Sequence, residues 1–418
     1  MTALATDGSP PRLLTTRFLL LVLSSGTYFS GWAMLYPVLP RFVRDELGGN
    51  GVAVGLAIGS YGITSSLVRP ACGRIGDRHG RRVLVLVGMA GVALTLAAYH
   101  LVSSLPAAFA VRLVFGAFEA AAFVGLATAA QDLAPDQRRG EAATYLSGST
   151  FIGVAVGPAL GNAVWEWRGY AAVWTTSAVL VLVGLLLGTA TPRWQPPIDG
   201  PAVAGGPPGA RRAAARRGVR AWLHPTALLP GLALGWVIVG YVGFVSFITL
   251  HVTERQLAPA GAVFITYASL ILVLRVVGAK LPDRYGPIPV AAAAACLLAV
   301  GLWTVAAARS TPVLFAGVVV FACGVAPVFP GLLSWVVARV PAAERTQAVA
   351  TFSAFFDLSM AIGGPLVGVV VAAFGEGWGI FSGGCAALLS LPLLARLARR
   401  EAAEGAAQRL PATAGPPS

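Results

Sequence analysis

The sequence predicts an all-α integral membrane protein: twelve transmembrane helices in two pseudo-symmetric six-helix bundles. Three observations predict it: sparse charge, recurring apolar runs long enough to span a bilayer, and an internal repeat offset by close to half the chain. Of 418 residues only 11% are charged and 56% are hydrophobic, with a mean hydropathy of +0.76, whereas soluble domains carry roughly 25% charge. A helix of about 20 apolar residues crosses the roughly 30 Å of hydrocarbon, and such runs fill nearly the whole chain.

The first six spans are expected over 17–38, 51–70, 83–101, 107–130, 140–163 and 170–191. The second six follow over 226–250, 260–280, 288–308, 312–337, 346–373 and 378–396. Unbroken runs such as "VLVLVGLLLG" exclude a β-barrel, whose strands alternate apolar and polar residues. Arg12 and Arg17 give the first span the look of a signal peptide. Its length, the lack of a small-residue cleavage site and eleven further spans argue against one.

Arginine placement sets the expected orientation. Arg74, Arg78, Arg81 and Arg82, then Arg138 and Arg139, the cluster Arg211 to Arg220, Lys280 and Arg284, Arg339 and Arg345, and Arg396 to Arg400 fall in alternate connections. Those connections are expected to be cytoplasmic, with both termini inside a plasma membrane. This positive-inside pattern accounts for the net charge of +13; no aromatic-interleaved basic patch points to nucleic acid. The expected organisation is a cytoplasmic N-terminus (1–16), a first bundle (17–191), a cytoplasmic linker (192–225), a second bundle (226–396) and a disordered tail (397–418). Within the linker, 210–223 reads either as a basic helix on anionic headgroups or as a plain positive-inside loop.

The four cysteines, Cys72, Cys296, Cys323 and Cys385, lack ligand spacing, and no H-E-x-x-H, G-x-S-x-G or Walker loop is present. No metal, cofactor or enzymatic activity is therefore expected.

The repeat is the strongest organising signal. At an offset of 206, Tyr61 maps onto Tyr267, Arg69 onto Arg275, Asp77 and Arg78 onto Asp283 and Arg284, Gly80 onto Gly286, and Pro135 onto Pro341. At 207, "GPALG" from Gly157 maps onto "GPLVG" from Gly364. Parallel halves place a pathway between them.

Twelve spans in two halves, a long central loop and "GRIGDRHGRR" between spans two and three resemble the major facilitator superfamily of secondary transporters. The resemblance covers about residues 17 to 396. Its hallmark G-x-x-x-D-R-x-G-R-R is met by Gly73, Asp77, Arg78, Gly80, Arg81 and Arg82. The family pattern places the Asp77 carboxylate near the cytoplasmic start of span eleven, where unsatisfied N–H groups favour an anion. Asp77 with Arg78 and Arg81 is then a latch holding the halves together on the inside. Gly73 allows close helix approach and Gly80 the tight turn. The copy keeps Asp283, Arg284 and Gly286 but loses the first glycine and the paired arginines, so its latch is expected to be weaker.

Span four carries Arg112, Gly116 and Glu119 on one helix face. Glu119 lies roughly 18 Å deep and Asp357 of span eleven roughly 15 Å deep. A carboxylate at that depth must face water, pair or take a proton, so these two acids are the candidate proton sites; a structural Arg112–Glu119 pair is the alternative. The resemblance implies proton coupling for Arg112. Span five resembles the superfamily's antiporter signature through Gly148, Gly153, Gly157, Pro158 and Gly161, with Asn162 in place of the last glycine. Generic small-residue packing is the alternative for that ridge. Tyr61 and Tyr267, equivalent in the repeats, are cavity candidates.

Together these features predict a monomeric secondary transporter working by alternating access: a proton-coupled exporter of a hydrophobic or amphipathic small molecule. A proton-linked importer of a small metabolite is the runner-up, and a membrane sensor on a transporter scaffold a remote third.

Overall fold

The computed structural model describes residues 13–135, 138–189, 223–278, 281–341 and 344–409. The chain is all-helical there. Span one is α1 (Thr16–Ala33), opened by the Thr15 hydroxyl accepting from the Phe18 amide, followed by α2 (Leu35–Arg41), which carries Pro37 and Pro40, and a π-helical turn (Phe42–Glu46). Span two is broken into α3 (Gly51–Gly59) and α4 (Tyr61–His79). α5 (Arg81–Ala98) and α6 (Leu105–Leu133) are spans three and four. Spans five and six form one run, α7 (Arg139–Gly188), which reverses direction at Gly169. The second half follows with α8 (Pro225–Glu254), α9 (Ala260–Val277), the short α10 (Leu281–Tyr285), α11 (Pro287–Ala307), α12 (Thr311–Ala338), α13 (Arg345–Phe374), α14 (Glu376–Leu388) and α15 (Ser390–Arg409).

Among the described residues ten helices are long and apolar enough to cross a membrane, and Ala260–Arg275 is a shorter eleventh. Counting α7 as two spans gives the twelve expected from hydropathy.

The repeat is written into the backbone. Gly80 (φ +89°) and Gly286 (φ +85°) turn spans two and eight into the helices that follow, and Gly169 (φ +73°) and Gly375 (φ +88°) do the same for spans five and eleven. Both pairs are separated by the offset of 206 residues. A left-handed φ is strained for any residue with a Cβ, so glycine alone permits these one-residue reversals.

We call the end of the bundle holding Gly80, Arg138, Gly286 and Glu344 the motif end, and the end holding Gly48, Gly169, Arg255 and Gly375 the opposite end. Toward the opposite end the two halves touch through glycines. α3 packs against α13, and a Cβ on Gly55 or Gly59 would collide with the carbonyls of Gly364 or Met360. At Gly51 it would lie 2.7 Å from the Gly368 oxygen. Toward the motif end a Cβ on Gly73 or Gly148 would meet nothing within 4 Å.

The glycine ridge of span five packs within its own half. A Cβ on Gly153 would lie 2.6 Å from the Gly26 oxygen and one on Gly157 2.6 Å from the Ser30 oxygen, both on α1, and one on Gly161 would collide with Met34. Pro158 sits inside this helix.

One expectation is corrected. The tail expected to be disordered from 397 continues as helix to Arg409. Leu397 is buried and the Arg339 guanidinium donates to Glu401 at 2.6 Å, so the tail's first turns have packing and an ion partner that composition alone hides. The linker over 192–222 and residues 1–12 lie outside the described residues.

Candidate functional site

The two deep acids meet. Arg69, on α4 ten residues before its end, places Nη1 2.7 Å from Oδ2 of Asp357 and Nη2 3.2 Å from Oδ1. The same guanidinium lies 3.7 Å from Oε2 of Glu119, which also accepts a 2.7 Å hydrogen bond from the Ser65 hydroxyl. Arg69 stacks over Phe123 at 4.5 Å. Glu119 is 4% and Asp357 2% exposed. Arg69 and Glu119 belong to the first half and Asp357 to the second, so the cluster is a bridge between halves. Counted from the motif end at 1.5 Å per residue, all three lie roughly 15–21 Å along their helices.

The physics of this bridge follows from its charge. Desolvating an ion costs several kcal/mol unless geometry and hydrogen bonds compensate. One guanidinium holding two carboxylates compensates both in part and leaves a surplus of one negative charge. A single proton would remove that surplus. Sequence reasoning found the acids by their depth but assigned Arg69 no role. The available signal was an arginine inside an apolar span, matched in the repeat by Arg275.

Arg112 is elsewhere and does different work. Only 1% exposed, it donates from Nε to the Ala57 carbonyl at 2.7 Å and from Nη2 to the Ile58 carbonyl at 3.0 Å. These carbonyls belong to the last turn of α3, just before the break at Ser60. A helix end leaves its last carbonyls without intrahelical partners, and Arg112 fills them. Its guanidinium also stacks 4.8 Å from the rings of both Tyr61 and Phe115. The alternative Arg112–Glu119 pair does not form; Glu119 is taken by Arg69 and Ser65.

Tyr61 and Tyr267 occupy matching aromatic clusters. Tyr61 meets Trp32 at 6.0 Å and Phe115 at 5.8 Å, while Tyr267 meets Phe244 and Phe321 at 5.6 Å each and Tyr241 at 6.5 Å. Both tyrosines are buried.

At the opposite end a polar clasp joins the halves. Arg41 donates from Nη1 to Asn162 Oδ1 and from Nη2 to Thr253 Oγ1, both at 3.0 Å. Asn162 in turn donates to Glu166 at 2.7 Å. Arg44 forms an ion pair with Glu376. The asparagine that departs from the antiporter signature is thus a ligand for Arg41.

At the motif end, Arg81 lies 3.3 Å from Asp132 within its own half, and Arg78 and Arg284 are exposed, the latter 5.2 Å from the ring of adjacent Tyr285. The side chains of Asp77 and Asp283 lie outside the described residues.

The comparisons bear on this architecture. The family model described as "Major Facilitator Superfamily" matches residues 21–259 and 249–415. An uncharacterized MFS-type transporter of Salmonella typhimurium is 28% identical over 346 residues, covering 81% of this chain and 85% of that protein. Among solved structures, a bacterial homolog of the human lysosomal transporter Spinster, inward-facing and occupied, superposes with a TM-score of 0.74 at 13% identity, covering 91% of this chain and 96% of that one. The human organic anion transporter MFSD10 gives 0.67 at 18%, covering 92% and 100%. With two six-span halves, paired turn glycines and a family model matching nearly its whole length, the chain belongs to the Major Facilitator Superfamily of transporters.

Proposed function

We propose that this protein is a proton-coupled secondary transporter of the cell membrane that exports a hydrophobic or amphipathic small molecule by alternating access. It acts as a monomeric carrier rather than an enzyme, with the motif end and both termini in the cytoplasm. The observation that carries the reading is the buried Arg69 bridge, in which one cation shared by two carboxylates from opposite halves leaves room for one proton.

Protonating Glu119 or Asp357 makes the cluster neutral and loosens its hold across the interface. Loss of the proton restores the full bridge. A substrate that competes for Arg69 or for the acids exchanges with the proton, and a carrier limited to those two loaded states couples their flows. Arg112 holds the broken span two in register beside this site. Gly73, Asp77, Arg78, Gly80 and Arg81 form the latch that closes the cytoplasmic side, with Asp283 and Arg284 as its weaker counterpart. The ridge of Gly153, Gly157, Pro158 and Gly161 fixes span five on span one, so that the two move as a unit.

The test is transport in everted vesicles, with drug accumulation followed while the pH gradient is collapsed. Collapse should stop accumulation, and Glu119→Gln and Asp357→Asn should each lower gradient-driven uptake by about tenfold or more, the scale of roughly 1.4 kcal/mol or above. Uptake that survives both substitutions with unchanged pH dependence sinks the proton assignment. Whole cells separate direction: an exporter lowers the cellular content of a toxic compound and an importer raises it.

A further inference from the structure

The repeat sets Arg275 against Arg69. At the offset of 206, the positions corresponding to Glu119 and Asp357 are Val325 and Phe151; an offset of 207 would put Thr150 in place of Phe151. Neither acid has a counterpart. Arg275 nevertheless makes the same reach into the opposite half. Its guanidinium carbon sits 3.1 Å from the centroid of the Phe151 ring, where Arg69 finds Asp357.

Among the described residues no carboxylate forms an ion pair with Arg275, and its Nε is buried with no hydrogen-bond partner. The ionisable side chains near enough to act on it are Tyr267, on its own helix, and Tyr241, both buried. Guanidinium does not shed its charge in proteins. Stacking on an aromatic face returns only about 0.5–2 kcal/mol, less than desolvating a charge costs. Among the described residues the planar fork of donors therefore has no protein partner matched to it.

We propose that Arg275 is a substrate-binding residue that receives a carboxylate, so that the cargo is an amphipathic organic anion whose apolar body packs on Phe151, Tyr267 and the rings beside them. The proposal rests on the transport reading above and narrows its substrate class. Charge supports it independently. The Arg69 cluster carries one surplus negative charge and Arg275 one surplus positive charge, so a neutral or cationic cargo would leave Arg275 uncompensated throughout the cycle. A bound carboxylate pairs it with bidentate geometry.

The experiment uses the full chain in nanodiscs of phosphatidylcholine. Binding of fluorescein, an aromatic carboxylate, is compared with that of rhodamine 6G, an esterified cation on the same ring system, and a panel of aromatic and fatty carboxylates is screened by thermal stabilisation. Carboxylates should bind the wild type, and Arg275→Gln should weaken them by about tenfold or more while leaving rhodamine 6G unchanged. Arg275→Lys, which keeps the charge, should retain most of the binding. If Arg275→Gln does not fold, Phe151→Asp supplies an internal carboxylate where the ring now stacks and should displace the ligand in the same way.

The proposal is overturned when no carboxylate binds or stabilises the wild type, or when Arg275→Gln and Phe151→Asp bind them within about twofold of it. Loss of carboxylate binding when phosphatidylglycerol is added to the discs assigns the site to a lipid headgroup and overturns it as well. Arg275-dependent binding without gradient-driven movement leaves the inference standing and removes the export reading. Gradient-driven rhodamine transport indifferent to Arg275 does the reverse.

Discussion

Arg69 is the residue on which the interface turns, because it is the cation that two acids from opposite halves share. Removing it as Arg69→Gln strands two carboxylates, and breaking a buried pair costs about 3–5 kcal/mol. Thermal unfolding of that variant should begin well below the wild type. The triple variant Arg69→Gln, Glu119→Gln, Asp357→Asn carries no stranded charge and should recover most of the lost stability, with transport still absent. A triple variant no more stable than the single one would show that the cluster is not a charge-balanced unit. This cluster marks where the sequence stopped being legible. The depth of Glu119 and Asp357 could be counted from helix starts, but their meeting across two halves depends on how α4, α6 and α13 pack, which no single span encodes.

Span two carries the element-scale consequence. It is broken at Ser60, held by Arg112 on the carbonyls of Ala57 and Ile58, and its first part lies against α13 through Gly51, Gly55 and Gly59. Gly55→Val should therefore force the halves apart at that end, at about 1–3 kcal/mol for an overpacked contact. A cysteine replacing Val371, buried on α13 beside Gly51, should then label faster with a membrane-impermeant maleimide. Unchanged labelling would contradict the close approach. Arg112→Ala leaves the carbonyls of a buried helix end unfilled, at about 1–3 kcal/mol, and should lower the unfolding temperature even in an Arg69→Gln background, since the two arginines share no partner. The twelve spans and the turn at Gly80 were readable in advance because they follow from local hydropathy, glycine and charge, whereas the turns at Gly169 and Gly375 were not singled out. The break at Ser60 was not read, although Gly59, Ser60 and Gly62 in "IGSYGI" are weak helix formers and a Gly–Ser pair is a common site of kinks.

For the whole molecule, the closed end is defined by contacts from span one to three other elements: Arg41 to Asn162 and Thr253, and Arg44 to Glu376. Exchanging the charges tests this clasp. Arg44→Glu or Glu376→Arg alone should favour opening at that end, and the double exchange should restore closure, with a coupling of about 0.5–3 kcal/mol in the cycle. Spin labels at Gly48 and Gln256, on loops of the two halves, would report the widening as a longer distance. Additive effects of the two changes would dissolve the clasp into two independent residues. In the sequence Arg41 and Arg44 are two basic residues close to Asp45 and Glu46, and counting charge for topology says nothing about which half each one touches.

The single-residue reversals at Gly169 and Gly375 carry a mechanical meaning. A hairpin joined by one glycine has no slack, so spans five and six, like eleven and twelve, behave as stiff forks whose prongs cannot slide past one another. Displacement of one prong is passed whole to the other. Compliance must then reside elsewhere than in these two turns.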